Sequence, residues 1–376
     1  MFSGSNLFLE ITFLTLIIAT GVQLFCYLWY YLAVVLFKSP EASSEKPPVS
    51  VIICARNEAE NLSNFLSAVL EQDYPDYEVI VVNDCSEDDS DDILGKYISK
   101  YPHLKVTSIN KDPKFTHSKK LAQLVGIKAA KNELLLFTAA DCKPESNLWL
   151  ATMASKFTSN TGFALGYGGY FQRKGLLNAY IRYDCMTIAM QYLGMALRGL
   201  PYMGVGRNLA YKRSIFFENR GYGAYYHLAS GDDDLFVNGN ATADNTVVEF
   251  SHNAHTRSVP AVKFKNFFKQ KRRHMTTVRY YKLRHKIALL AEPASRTLFY
   301  VALIVLLKNL FLWQYVLACF GLRLCVQLIT LILVAKKLNE QKIILISLIF
   351  DIISPIINTM FYIFKPSRKA RIEQWK

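Results

Sequence analysis

The four residues Gly231-Asp232-Asp233-Asp234 set three carboxylates side by side. Like charges this close repel one another, so at least one of them is expected to hold its proton above the usual carboxylate range, which suits a general base. An acidic solvated turn or a calcium loop is the alternative. More polar residues follow short apolar runs: Arg56, Asn57 and Glu58 after VSVIIC (49–54), Asp84 after YEVIVV (77–82), and Asp141 after the run that ends at Phe137. A basic group, Gln270-Lys271-Arg272-Arg273-His274, lies within residues 263–286, which hold about ten Lys and Arg and no acidic residue. Carboxylates for a cation and a proton, with guanidinium groups for phosphate charge, outline chemistry on a nucleotide.

These groups need a frame, and the spacing supplies one. The run at 49–54 has no polar face, as in a strand covered on both sides, and Leu62, Phe65, Leu66 and Val69 then repeat at helical spacing over 58–71. Strands are expected again at 77–82, 104–109 and 133–137, with helices at 93–100 and 117–131 between them. Strand alternating with helix predicts an α/β fold with a doubly wound, mostly parallel sheet, whose ligands bind outside the carboxyl ends of the strands. No Gly-x-Gly-x-x-Gly follows the first strand and no Gly-x-x-x-x-Gly-Lys occurs, so a dinucleotide fingerprint and a P-loop are excluded.

Composition places this domain at a membrane. The 376 residues are 51% hydrophobic yet carry a net charge of +14. Residues 7–37 are apolar and long enough to span a bilayer, without the basic start or cleavage site of a signal peptide. Residues 298–335 are long enough for two spans, and a third segment at 343–364 carries Asp351 and Pro355 near its centre. Lys and Arg beside the spans predict a cytoplasmic α/β domain. The basic tail then fits only if 343–364 is re-entrant or interfacial, a hairpin bent at Pro355. The seven cysteines include no Cys-x-x-Cys pair, which excludes a disulfide framework and a thiolate zinc site of standard spacing. His252 and His255 are read as ordinary surface histidines.

The segments VSVIICARNEAENL, YEVIVVNDCSEDDS, HSKKLAQLVGIKAAKNELLLFTAADCKP, GVGRNLAYKRSIF, SGDDDLF and QKRRH, in this order from 49 to 274, resemble a membrane-bound family 2 glycosyltransferase of GT-A fold. The resemblance implies a GT-A nucleotide-sugar-binding fold flanked by transmembrane helices. It implies Asp84 at the nucleoside with Arg56 and Glu58 beside it, Lys119 and Lys120 near the donor, and Asp141 as last aspartate of an Asp-x-Asp metal motif for Mg2+ or Mn2+. Ala139 stands where the family usually has the first aspartate. The acidic triplet resembles the motif that holds the catalytic base: aligned on its glycine this is Asp233, aligned on Leu235 it is Asp232. Gln270 to His274 are similar to Gln-x-x-Arg-Trp, with His274 replacing tryptophan and Arg273 at the leaving diphosphate. Gly206 and Asn208 fall in a loop near acceptor and sugar.

The resulting expectation is an inverting, hexosyltransferase-like enzyme moving sugar from a nucleotide-sugar donor, a UDP-sugar foremost, to a lipid-linked or envelope-glycan acceptor. A processive polysaccharide synthase and a non-catalytic GT-A binding protein are the alternatives. Expected boundaries are a transmembrane anchor at 1–38, a cytoplasmic catalytic domain at 39–262, and a basic amphipathic interfacial helix region at 263–297. Transmembrane or re-entrant segments at 298–364 and a basic tail at 365–376 complete the chain. Expected partners include membrane lipids, at the cell inner membrane if the source is bacterial. Nucleic acid is not among them, because the basic stretch adjoins apolar spans and carries phenylalanines at helical spacing (Phe264, Phe267, Phe268).

Overall fold

The computed structural model describes residues 4–39, 45–110, 118–228 and 230–363. Residues 40–44 of the linker, His117 and the basic tail at 365–376 lie outside them. The chain opens with α1 (Gly4–Phe25), a π-helical turn (Cys26–Tyr31) and α2 (Leu32–Leu36). The α/β domain follows as β1 (Val49–Ala55), α3 (Ala59–Leu70), β2 (Tyr77–Asp84), α4 (Ser90–Lys100), β3 (Leu104–Ile109), α5 (Lys119–Ala129), β4 (Leu134–Ala139), β5 (Cys142–Pro144) and α6 (Trp149–Ala154). Its second half holds β6 (Phe163–Gly166), β7 (Gly168–Tyr170), α7 (Leu176–Leu197), β8 (Leu209–Lys212), α8 (Arg213–Glu218), α9 (Asp234–Asn240), β9 (Thr246–Glu249) and β10 (Thr256–Ser258). Then come α10 (Phe264–Met275), α11 (Leu283–Lys308), α12 (Trp313–Lys337) and α13 (Ile344–Ile363).

The main sheet has the order β3-β2-β1-β4-β8-β6-β9, and β5, β10 and β7 form a second one. β1, β2, β3 and β4 are parallel, with Cys54 opposite Ala139 and Ala55 opposite Asn83. This register brings the carboxyl ends of β1, β2 and β4 to one edge, and with them Arg56, Glu58, Asp84 and Asp141. Both faces are covered, as the unbroken apolar runs require. Val51 and Ile53 pack with Leu62, Leu66 and Trp149, while Ile52, Ile80 and Val82 face Ala122, Ile127 and Tyr192. α7 is buried nearly all round, and where it meets the π-helical turn a Cβ on Gly194 would stand 2.3 Å from the Tyr30 carbonyl oxygen. Only glycine permits that approach.

Among the described residues, four helices are long and apolar enough to cross a membrane: Leu7–Leu36, Leu283–Lys308, Trp313–Lys337 and Ile344–Phe361. Two details differ from the sequence reading. Residues 263–297 are not one helix: α10 stops where Thr277 and Tyr281 turn in to bond Asp234, and α11 starts at Leu283 as part of an apolar helix. Residues 344–363 form one helix without a hairpin, although Pro355 sits inside it. Proline removes the N–H that would reach the Asp351 carbonyl, and Arg296 donates there at 3.4 Å and to the Asp351 carboxylate at 2.9 Å. Arg323 binds the same carboxylate at 2.9 Å. Both ends of α13 touch the α/β side. Glu340, shortly before it, pairs with Arg182 and Arg257, and Phe361 packs on Phe267 and Phe268 of α10.

Candidate active site

At the aligned strand ends lies a cavity of about 490 Å³. Its lining comprises Arg56 and Glu58 after β1, Asp141 after β4, Lys119 from α5, Gly206 and Arg207 before β8, Asp233 and Asp234, and Gln270, Lys271, Arg273 and His274 from α10. Apolar groups share it: Ile188 and Tyr192 of α7, Met203, Phe267, Val278 and Leu289 of α11. One space therefore joins charged groups at the strand ends to apolar side chains that continue into a membrane-type helix.

The three carboxylates of the acidic triplet point at three different partners. Gly231 starts the turn at φ +107°, where a side chain would be strained and a Cβ would lie 2.6 Å from Leu235. Asp232 is buried and pairs with the Lys119 ammonium at 2.7 Å. Asp233 caps α9: one oxygen accepts from the Asp234 N–H at 2.8 Å and the other from the Gly206 N–H at 2.7 Å. Asp234 accepts from the Tyr281 hydroxyl at 2.7 Å and from Thr277.

Their charges diverge accordingly. Burial alone would raise the Asp232 carboxyl, but Lys119 overrides it and holds the group down at about 2. Burial and then the Asp232 charge raise Asp233 above its ordinary value, with Lys119 pulling the other way. Burial and then Asp233 push Asp234 up to about 7, against its two hydroxyl donors. Lys119, whose charge burial would disfavour, is kept protonated by Asp232 and Asp233. His274 is driven down to about 3 by burial and by Arg273 and Lys271, so its imidazole is neutral near pH 7.

Several expected site residues stand outside the lining. Asp84 is fully buried at the end of β2, and Asp232 lies beneath the cavity. Lys120 is buried with its ammonium on the carbonyls of Tyr225, Leu228 and Ser230, which pins the loop leading into Gly231. Burial brings its pKa down to about 8. Asn208 is buried too: its amide donates to Tyr167 and Ala254 carbonyls and accepts from the Trp149 indole. These two side chains hold backbone in place rather than face the cavity. Gly206, by contrast, touches Asp233, and Gln270 and His274 both line the wall.

Sequence reasoning missed Arg207 and Lys271. Arg207 lies over the Tyr170 ring at 4.4 Å and donates to the Tyr170 hydroxyl at 2.8 Å, while Lys271 pairs with Asp184 at 2.7 Å. Both fall inside quoted motifs, which is the signal that was available; their partners are on β7 and α7, elements with no legible periodicity.

A divalent cation fits the donor set. Asp141 offers a hard oxygen ligand to the cavity, and one carboxylate plus phosphate oxygens and water is a common Mg2+ arrangement. Ala139 lines the wall without contributing a ligand, and the Ser258 hydroxyl lies 3.4 Å from Asp141 Oδ1.

A family model described as Glycosyl transferase family 21 matches residues 12–364. Glycosyltransferase AglE of Haloferax volcanii is 34% identical over 148 residues, 39% of this chain and 47% of that protein. The probable glycosyltransferase YdaM of Bacillus subtilis is 29% identical over 182 residues, 46% and 43% respectively. The matches thus span less than half the length of these curated relatives. Among solved structures, the Pyrobaculum calidifontis mannosyltransferase PcManGT, in complex with GDP-Man and Mn2+, superposes with a TM-score of 0.57 at 18% identity. That superposition covers 90% of this chain and 98% of the other, a likeness of fold.

Proposed function

This chain belongs to glycosyl transferase family 21, where the motifs had resembled family 2, and from that premise we propose that it inverts the anomeric centre as it moves a hexose from a nucleotide-sugar to a lipid-linked or glycan acceptor at the cytoplasmic membrane face. A UDP-sugar is the expected donor. The observation that carries this reading is that Asp233, with its raised pKa, shares one cavity with strand-end groups suited to a nucleotide and with apolar groups that reach α11.

In the proposed reaction the nucleoside end lies toward Arg56 and Glu58, with Asp84 buried behind them. Asp233 accepts the proton of the acceptor hydroxyl, and that oxygen bonds to the anomeric carbon as the carbon–diphosphate bond breaks on the opposite face. The Gly206 N–H fixes the orientation of the Asp233 carboxylate. Arg273 faces the leaving diphosphate, where a guanidinium can engage two oxygens at once. Mg2+ or Mn2+, when held by Asp141, supplies further neutralisation of the diphosphate; Mn2+ is the ion named for the Pyrobaculum enzyme. Neutral His274 adds no charge at the wall, and the apolar side excludes water from the donor.

The test is stereochemical. Detergent-purified protein is supplied with UDP-, GDP- and dTDP-sugars and a membrane lipid extract, and the anomeric configuration of the product is read by NMR. Configuration opposite to that of the donor is expected; the same configuration would refute a single displacement assisted by Asp233. Product length separates single addition from processive synthesis.

A further inference from the structure

His255 is not a surface histidine. Its side chain is fully buried, and with Glu145 and His252 it forms a group whose candidate ligand atoms all lie within 4.8 Å of one another. None of the three belongs to the cavity lining. Glu145 follows β5, His255 precedes β10, and the antiparallel pairing of these strands, continued by a hydrogen bond from the Glu145 N–H to the His255 carbonyl at 2.9 Å, sets the two side by side.

The ring geometry is the informative part. His255 Nε2 stands 2.9 Å from the Phe250 carbonyl oxygen, which can only accept, so this nitrogen carries the proton and donates. In the neutral ring, Nδ1 then presents a lone pair. It is buried without a hydrogen-bond partner and faces Glu145 Oε2 at 3.4 Å. With the ring neutral two acceptors face each other, an arrangement that a cation between them would satisfy, as would a second ring proton in a plain imidazolium–carboxylate pair. Ligands bound to zinc at about 2.0–2.1 Å in a tetrahedron stand about 3.3–3.4 Å apart, which matches that separation. A carbonyl fixing the tautomer from behind is the usual outer support of a metal-bound histidine. His252 occupies an exposed 3-10 turn, its ring 5.8 Å from that of His255, close enough for rotation to bring in a third ligand.

We propose that Glu145, His252 and His255 form a transition-metal site, best suited to Zn2+, separate from the nucleotide cavity. Two imidazoles and one carboxylate form a borderline-soft donor set that prefers zinc to magnesium. Arg257 lies 3.1 Å from the same Glu145 oxygen and is shared with Glu340. The carboxylate has two oxygens with about four lone-pair positions, so this contact does not exhaust it. Bound metal would tie the 252–255 turn to the end of β5, the strand that starts directly after Asp141. The role is structural, since none of the three residues lines the cavity.

The test uses the full-length protein in detergent, stripped of metal with chelator. Zinc titration is followed by calorimetry, and Co2+ by its visible absorption. The expected result is one equivalent of zinc with tetrahedral cobalt absorption and a raised Tm. Asp141→Ala should retain that equivalent, and His252→Ala and Glu145→Gln should each lose it. His252 is exposed, so its variant should fold, which circular dichroism checks. The proposal is overturned if the wild type shows no saturable zinc binding, the result expected of a plain imidazolium–carboxylate pair. It is equally overturned if the equivalent survives both ligand variants or disappears with Asp141→Ala.

Discussion

Asp234→Asn should stabilise this protein at neutral and alkaline pH. The carboxyl is buried, bonded to Tyr281 and Thr277, and raised from 3.8 to about 7. A group whose folded pKa lies above its unfolded one favours the folded state while protonated, and that advantage is lost as pH rises between the two values. At about 1.4 kcal/mol per pH unit, the wild type loses about 4 kcal/mol across this window. Asparagine keeps the shape and can bond both hydroxyls, but it carries no charge in either state. The variant should therefore gain little over wild type at pH 4 and about 4 kcal/mol at pH 8, on the order of 10 °C in Tm. Melting followed in detergent from pH 4 to 8 measures the gap. A constant gap across the range, or a variant less stable than wild type at pH 8, would refute the electrostatic account.

The other predictions concern the groups around Asp233. Lys119→Met leaves the buried Asp232 without its cation and should cost about 3–5 kcal/mol near neutral pH; the loss should shrink in acid as Asp232 takes up a proton, as a pH series of melting curves would record. Gly206→Ala sets a Cβ 3.1 Å from both the Asp233 oxygen and the Lys119 ammonium, so the carboxylate must move. A fall in kcat approaching about 100-fold with little change in Tm is expected from steady-state kinetics. Asp141→Ala should weaken the dependence of donor turnover on Mg2+ or Mn2+, read by titrating the metal at fixed donor.

The first half of the α/β domain was legible because local signals agreed there. The apolar runs before Arg56, Asp84 and Asp141 have no polar face, and parallel register alone carries those residues to one edge. Neighbouring residues were harder to separate. Lys119 and Lys120 are about 100° apart around α5, and only packing decides that the first faces Asp232 while the second holds carbonyls. Asn208 sits in a glycine loop that reads as accessible, but the Trp149 indole and two carbonyls consume its amide. α7 shows no apolar stripe because it is buried nearly all round, so its share of the cavity wall left no periodic signal. The fate of Pro355 depended on Arg296, far away in sequence.

The central claim is that Asp233 is the base of a glycosyl transfer carried out in this cavity. Its most direct test is Asp233→Asn, which preserves volume and keeps one acceptor oxygen for the Gly206 or the Asp234 N–H, with a melting curve to check that the fold survives the loss of the other bond. Donor affinity and single-turnover transfer are measured on the same preparation with the donor that the wild type consumes. The account predicts donor binding within a few-fold of wild type and transfer slower by about 10²–10⁴-fold. Transfer at the wild-type rate would contradict it and move the proton acceptor elsewhere.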